Sequence, residues 1–381
     1  MNRSIIQERR RGVRDKLARI HWPLVLLLAC LAGAGVITLY SVAEGSWSPW
    51  ALKHGMRFGA GLVLMIGLAL VPLRFWMGLA FPIYLVALAA LAAVPFIGDV
   101  HMGARRWIEL AGVQFQPSEA MKIGLVMALA RYYHGLRAEQ VSHLLFLGPP
   151  LLMIAAPVAL VFIQPDLGTA LLLGGAGVVV MFLAGLSWRI GVFGALAAVI
   201  GGYAAYYFDF IKPYQLERIL TFLNPDRDPL GRGYHLLQSK IAFGAGGVNG
   251  AGYMNGTQSQ LQFLPEMHTD FIFTIFGEEF GFIGAVCLLA IYFAVIMLGL
   301  SIALRARLHF ARLAALGVVA TFAFYVLINT GMVMGLAPVV GVPLPLVSYG
   351  GTVMLTIMAG FGLVMSAHVH RDQDGVGQAA F

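Results

Sequence analysis

Residues 263–300 read "FLPEMHTDFIFTIFGEEFGFIGAVCLLAIYFAVIMLGL". From position 270 onward this is an apolar run of membrane-crossing length, since a spanning helix needs about 20 mostly apolar residues. Yet Glu266, His268 and Asp270 stand at its rim, and Glu278 and Glu279 stand inside it. At about 1.5 Å per residue the inner pair lies about 12–14 Å beyond Asp270, on other faces of the helix. The pair therefore cannot share one site with Asp270. Ionisable side chains within a bilayer are costly and take partners or a function. Pairing with other helices at a kink bracketed by Gly277 and Gly281 suits the inner pair. Two readings stand for Asp270: a helix N-cap, which Asp makes well, or a working carboxylate at the membrane edge.

The rest of the chain has the same character. Of its 381 residues 59% are hydrophobic and 11% charged, against about 25% charged in soluble domains. The mean hydropathy of +0.82 likewise indicates a polytopic membrane protein. The net charge of +7 does not indicate nucleic acid: seven Lys and Arg fall in residues 1–21, directly before the first apolar run. That placement is a positive-inside signal. Cys30 and Cys287 each sit within an apolar run and suggest neither a metal site nor a disulfide framework. The first run is too long for a signal-peptide core and reads as a retained helix.

Ten spans are expected, at 22–43, 54–73, 75–96, 118–135, 143–163, 167–186, 189–208, 270–300, 309–336 and 348–368. The architecture is thus all-α and polytopic. A basic cytoplasmic tail (1–21) precedes seven spans (22–208). A large extracytoplasmic loop (209–269) follows, then three spans (270–368) and a cytoplasmic tail (369–381). Basic bends at Arg74, Arg131–Arg137, Arg189 and 304–312 all fall inside with the N-terminus. The segments 97–119, 164–168, 209–269 and 338–351 then lie outside, with most of the unusual polar clusters.

Three spans open on that outer face with an acid. In "QPSEAMK" (116–122) Ser118 is the expected N-cap, with Glu119 in the first turn. Glu119 and Lys122 are neighbours on one helix face; they either hold helices together or line a polar cavity. In "QPDLGTA" (164–170) Asp166 opens the sixth span. With Asp270 these acids point to a shared polar cavity. Arg105, Arg106, Arg218 and Lys240 supply outer-face cations, a choice suited to phosphate recognition. The run "GAGGVNGAGYMNG" (244–256) lacks the Gly-Lys-Ser/Thr ending of a phosphate loop. It reads instead as flexible backbone near a substrate.

In order along the chain, "GARRW…FQPSEAMK", "QPDLGTA", "YQLERILTFLNPDRDPLGRGYHLLQSKIAFGAGGVNGAGY", "GTQSQLQFLPEMHTDFIFTIFGEEFGFIG" and "NTGMVMGLAPVVGVPLPLVSYGG" resemble the SEDS family of bacterial cell-wall proteins. The resemblance covers about residues 22–371. "FLPEMHTDFIF" and "AGFGLVMSAHVHR" look like the RodA-type elongation branch rather than the FtsW-type division branch. "FTIFGEEF" departs from the family's frequent Ala-Val after the Phe, away from Asp270.

The resemblance implies a peptidoglycan glycosyltransferase in the bacterial inner membrane that polymerises lipid II at the outer leaflet during cell elongation. It implies a class B penicillin-binding protein (a PBP2-type transpeptidase) and other elongation proteins as partners. Asp270 matches the family's essential aspartate. Glu119, Lys122, Asp166, Gln215 and Arg218 match polar positions around the central cavity. Arg106 and, more loosely, Arg57 match cationic ones. Lys240, Glu266 and His268 complete the expected substrate-binding set. No metal cage is expected; a divalent cation, Mg or Mn, would be held by the substrate's diphosphate. A lipid II flippase is the competing reading, but it requires polar groups through the full membrane depth. A scaffold without chemistry would need no carboxylate at the rim.

Overall fold

The structure, a computed structural model, describes residues 12–371 except 102–103, 111–112, 209–212, 225–226, 229–230, 262 and 265. The far N-terminal basic residues and the end of the C-terminal tail lie outside the described residues. A short helix, α1 (Val13–Ala18), leads into α2 (Trp22–Val42), α3 (Ala51–Ala69) and α4 (Leu73–Ile97). After a strand meander come α5 (Pro117–His134), α6 (Leu144–Ile163), α7 (Leu167–Leu183) and α8 (Trp188–Tyr207). The large loop holds α9 (Pro213–Leu223), α10 (Arg232–Gly246) and α11 (Thr257–Gln260). The last three long helices are α12 (Ile272–Leu304), α13 (His309–Val333) and α14 (Gly351–Val369).

All ten expected spans have a helix. Six of them (α2, α4, α6, α12, α13 and α14) are long and apolar enough to cross a bilayer unaided. The others differ for visible reasons. Helices α3 and α5 carry Lys53, Arg57, Glu119, Lys122 and Arg131, and α7 is only 17 residues long. Helix α8 has no buried residue among those described; Phe193, Val199 and Ile200 are exposed on it, as suits a lipid-facing edge. The centre is built by α5, α13 and α14, with α3 lying along α14 and α4 along α5.

Two starts shift from expectation. Helix α5 begins at Pro117, with Gln116 as its extended N-cap, so Ser118 lies within the first turn. Proline is favoured there because its missing N–H is one that a helix start leaves unbonded anyway. Helix α12 begins at Ile272 and its N-cap is Phe271. Asp270 therefore precedes the helix and does not cap it.

Segment 97–119 is not plain loop. It contains an antiparallel meander of β1 (Asp99–His101), β2 (Ala104–Leu110) and β3 (Val113–Phe115). Register pairs Val100 with Arg105 and Glu109 with Gln114. Among the described residues this small sheet is the one addition to the helices, and it carries Arg106 on its middle strand.

Helix α12 is broken at Gly281, where φ is 67° and ψ is −167°. A break leaves carbonyls and N–H groups unbonded, at a cost in a low-dielectric setting. The glycine-rich run after α10 fills the gap. Ala251 N donates to Glu278 O at 2.9 Å and Gly252 N to Glu279 O at 3.1 Å. Phe282 N donates to Gly247 O at 2.9 Å and Ile283 N to Val248 O at 3.2 Å. A Cβ on Gly250 would lie 2.1 Å from Glu279 O, so only glycine permits this approach. The expectation of loose backbone beside a substrate is thereby corrected: residues 247–252 splint a helix.

Candidate active site around Asp270

The turn before α12 is tightly made. Glu266, at φ 56°, accepts from Thr269 N at 3.1 Å and Phe271 N at 3.4 Å through its carbonyl. Its Oε2 accepts from Thr269 Oγ1 at 2.9 Å. The 338–351 segment clasps this turn. Tyr349 N donates to His268 O at 2.8 Å, and Ser348 Oγ donates to Thr269 O at 2.5 Å. Asn329, fully buried on α13, donates through Nδ2 to Asp270 O at 2.8 Å and to Val342 O at 2.7 Å. Three side-chain or backbone donors thus fix consecutive carbonyls at 268, 269 and 270.

The Asp270 side chain is treated differently. Its main chain is clasped, but no hydrogen bond from a described residue reaches its carboxyl. Oδ2 lies against Gly341, 3.2 Å from where a Cβ there would be. Gly341 itself has φ 74°, so glycine serves both the turn and the close approach. Burial, then the negative charges of Glu266 and Asp166, push the Asp270 pKa up to about 7; Arg106 opposes the rise. A carboxyl with this pKa is balanced between its two protonation states at neutral pH, as proton transfer favours.

Asp166 caps α7, accepting from Thr169 N at 3.1 Å. It also faces Arg106, whose Nε is 3.9 Å from Asp166 Oδ2. Arg106 spends its guanidinium on the α6–α7 connection, donating to Gln164 O at 3.2 Å and Pro165 O at 2.6 Å. It thereby ties the meander to the bundle, and its charge is felt at Asp270. Arg57, Lys122, Arg218 and Lys240 are not among the charges that act on Asp270.

Two of those four belong to other walls. Arg57 lies over the Tyr349 ring at 4.6 Å. His268 stacks on Trp50, with centroids 4.6 Å apart and planes 15° apart, and its ring lies 6.1 Å from Tyr349. Burial lowers the His268 pKa, with Glu266 pulling the other way. The result is an aromatic wall ending in a guanidinium. Lys122 belongs to a buried triad on the bundle axis. It donates to Glu119 Oε1 at 2.5 Å and to Tyr325 Oη, while Tyr325 Oη donates to Glu119 Oε2 at 2.8 Å. All three side chains are buried. A cavity of about 30 Å³ adjoins them, lined also by Thr321 and Thr356, room enough for a water. The pair thus joins helices and borders a small cavity whose other walls are mostly apolar, with Val126, Val318 and Phe361 among them.

The remaining expected residues scatter. Gln215 is buried on α9 and Arg218 half-buried; both are engaged there. Lys240 is exposed on α10, its ammonium end against Gly335 at the end of α13. That places it beside a helix terminus rather than with the carboxylates. Glu278 and Glu279 are tied to structure. Glu278 Oε1 accepts from Thr257 Oγ1 at 3.1 Å and Gln258 N at 2.9 Å; Glu279 accepts from Ser41 Oγ on α2. Among the described residues, no three His, Cys, Asp or Glu side chains group as metal ligands.

Asn329, Tyr325, Ser348, Tyr349 and Trp50 escaped sequence reasoning. Asn329 had a signal, an amide in the middle of "FYVLINTGMV". The others are ordinary residue types whose partners lie far along the chain.

The profile described as cell cycle protein, covering FtsW, RodA and SpoVE, matches residues 19–373. The peptidoglycan glycosyltransferase MrdB of Escherichia coli K12 is 45% identical over 349 residues, 91% of this chain and 93% of that one. Among solved structures, a chain of a peptidoglycan synthase complex that coordinates polymerization and crosslinking is similar, with TM-score 0.81 and 34% identity. That match covers 93% of this chain and 99% of the other. Rod shape determining protein RodA of Thermus thermophilus is similar at TM-score 0.69 and 30% identity, over 92% and 97%.

Proposed function

This chain belongs to the FtsW, RodA and SpoVE family, and we propose that Asp270 is the base with which it polymerises lipid II. The chain is a peptidoglycan glycosyltransferase of the RodA type and a multi-pass membrane protein. The observation that carries the base assignment is the contrast within one residue. The Asp270 main chain is pinned by Asn329, while its carboxyl receives no hydrogen bond from the described residues and burial pushes its pKa up to about 7.

The chemistry requires such a group. A sugar hydroxyl of one lipid-linked chain attacks the anomeric carbon of another. A new carbon–oxygen bond forms as the bond to the lipid diphosphate breaks, and the diphosphate leaves with the electron pair. The hydroxyl proton passes to the Asp270 carboxylate, a contribution of about 10²–10⁴ in rate. The departing diphosphate calls for positive charge. Arg57 at the edge of the aromatic wall is the cation best placed to give it, and the ring faces of Trp50 and His268 suit a sugar. Mg or Mn, where present, would be carried chiefly by diphosphate oxygens.

The Lys- and Arg-rich bends support an orientation with both chain ends in the cytoplasm and the Asp270 rim at the outer leaflet. The partner is a class B penicillin-binding protein, with the other elongation proteins around it; similarity to a chain of a synthase complex supports this. The test is strand formation from lipid II by the purified protein, with and without that partner. Asp270→Asn is expected to fold and to make no strand. Polymerisation by that variant at the wild-type rate would transfer the base role to another group.

A further inference from the structure

Segment 342–349 meets the rim turn on one side and four helices on the other. Towards the rim, Ser348 Oγ donates to Thr269 O and Tyr349 N to His268 O. Towards the bundle, its carbonyls are taken up by buried side chains from separate helices. Asn329 on α13 donates to Val342 O at 2.7 Å, and Tyr292 Oη on α12 donates to Pro345 O at 2.5 Å. On α3, His54 Nε2 bonds Leu346 O at 2.9 Å. A carbonyl only accepts, so in this arrangement Nε2 carries the imidazole proton. His54 is 1% exposed, too deep to touch substrate.

The carbonyl that His54 holds belongs to a strained residue. Leu346 has φ 63°, a region where a bulky side chain is rare. Helix α2 presses on the same stretch through Gly35, where a Cβ would lie 2.7 Å from Val347 O and 2.9 Å from Leu346 O. Such strain persists only where the surroundings over-determine it, and it gathers at working sites. Arg57 follows His54 by three residues and is its neighbour on one face of α3. It lies over the Tyr349 ring and against Gly351, whose Cβ would be 3.0 Å from Arg57 Cζ. One turn of α3 thus grips the segment twice, at Leu346 by the imidazole and at Tyr349 by the guanidinium. The turn that carries Asp270 is bonded to the same segment.

We propose that His54 is a positioning residue for glycosyl transfer: by locking Leu346 it fixes the separation between the Arg57 guanidinium and the Asp270 carboxyl. This rests on the reading of Asp270 as the base and Arg57 as the cation for the diphosphate. Those two groups act at opposite ends of one displacement, on the incoming hydroxyl and on the departing oxygen. Their spacing therefore enters the rate directly, and a misplacement of about 1 Å costs about 10²-fold.

The test is lipid II polymerisation by the full chain with its partner present, with kcat and KM taken per folded molecule and a thermal melt on every variant. His54→Leu removes the donor and should lower kcat by about tenfold to a hundredfold, with KM changed by less than about twofold. His54→Gln keeps an N–H near the position of Nε2 and should recover most of that loss. Tyr292→Phe deletes one hydroxyl at the neighbouring carbonyl and should lower kcat by less, which keeps the test open if His54→Leu does not fold. The control is Ser366→Ala, which removes an equally buried bond to Val71 O near the other end of α14; it should lower the melt and leave kcat alone. Wild-type kcat in folded His54→Leu, or in Tyr292→Phe should His54→Leu not fold, would overturn the proposal. So would a loss that His54→Gln does not recover, or an equal loss in Ser366→Ala. Asp270→Asn run alongside separates the two readings. Strand formation by that variant would overturn the base and this inference together, whereas an inactive Asp270→Asn beside a fully active His54→Leu would overturn this inference alone.

Discussion

Two acidic stations on and beside α12 invite comparison. At Glu278 and Glu279 the carboxylates have dedicated donors from Thr257, Gln258 and Ser41, and the helix break beside them is splinted by residues 247–252. At Asp270 the arrangement is inverted: the main chain is held and no donor among the described residues reaches the carboxyl. Glu278 and Glu279 are buried and Asp270 is half-buried, but burial alone does not assign their roles. What distinguishes them is where the hydrogen bonds go. A carboxylate supplied with donors ties its helix to neighbours, here α12 to α2 and α11, and braces the bundle. A carboxylate deprived of them, with other acids nearby, keeps its proton affinity and can exchange a proton with substrate.

The sharpest way to break this contrast is Asp270→Asn. It should lower lipid II polymerisation by about 10²–10⁴-fold and leave the thermal melt nearly unchanged. At the other station Gly281→Ala should do the reverse. Its φ is 67° and a Cβ would lie 2.2 Å from Gly250 N. A loss of about 3 kcal/mol or more in stability is expected, read as a lower melting temperature, with activity falling only as folded protein is lost. If Gly281→Ala melted like wild type, the splint would not be required.

Asn329→Ala sits between these extremes. It keeps the Asp270 carboxyl but frees its main chain and that of Val342. Stability should fall by about 1–3 kcal/mol, and turnover per folded molecule by about tenfold or more. Unchanged turnover would show that the clasp does not position the base.

A finer probe is pH. Asp270 works when ionised, so activity should fall as pH drops through about 7. Glu266 raises that value, so Glu266→Gln should move the acid limb of kcat/KM to lower pH. A limb that stays in place would mean that another group titrates. The smallest effect is expected for Ser41→Ala, which removes one donor to Glu279. About 1 kcal/mol of stability should be lost, with polymerisation per folded molecule unaffected.

The helices were legible because hydropathy is a local property. An apolar window of about 20 residues specifies a span wherever it packs. Even α5, polar as it is, was marked by Pro117 and the acid after it. The meander at 99–115 was not legible: "DVH" and "VQF" are too short to show an alternating pattern, and their pairing depends on one another. The glycine run at 244–256 was visible but misread, because nothing in it says that its partner is a break 30 residues further on.

The amino-acid order by itself determined the membrane class and the succession of long apolar helices. It also marked Asp270 as the rim acid. Only the tertiary structure decided which acid is left without donors. The donors of Glu279 and the clasp of Asp270 come from residues 238 and 59 positions away, Ser41 and Asn329. A carboxylate's proton affinity depends on what packs around it in space, and no local window of sequence contains that neighbourhood.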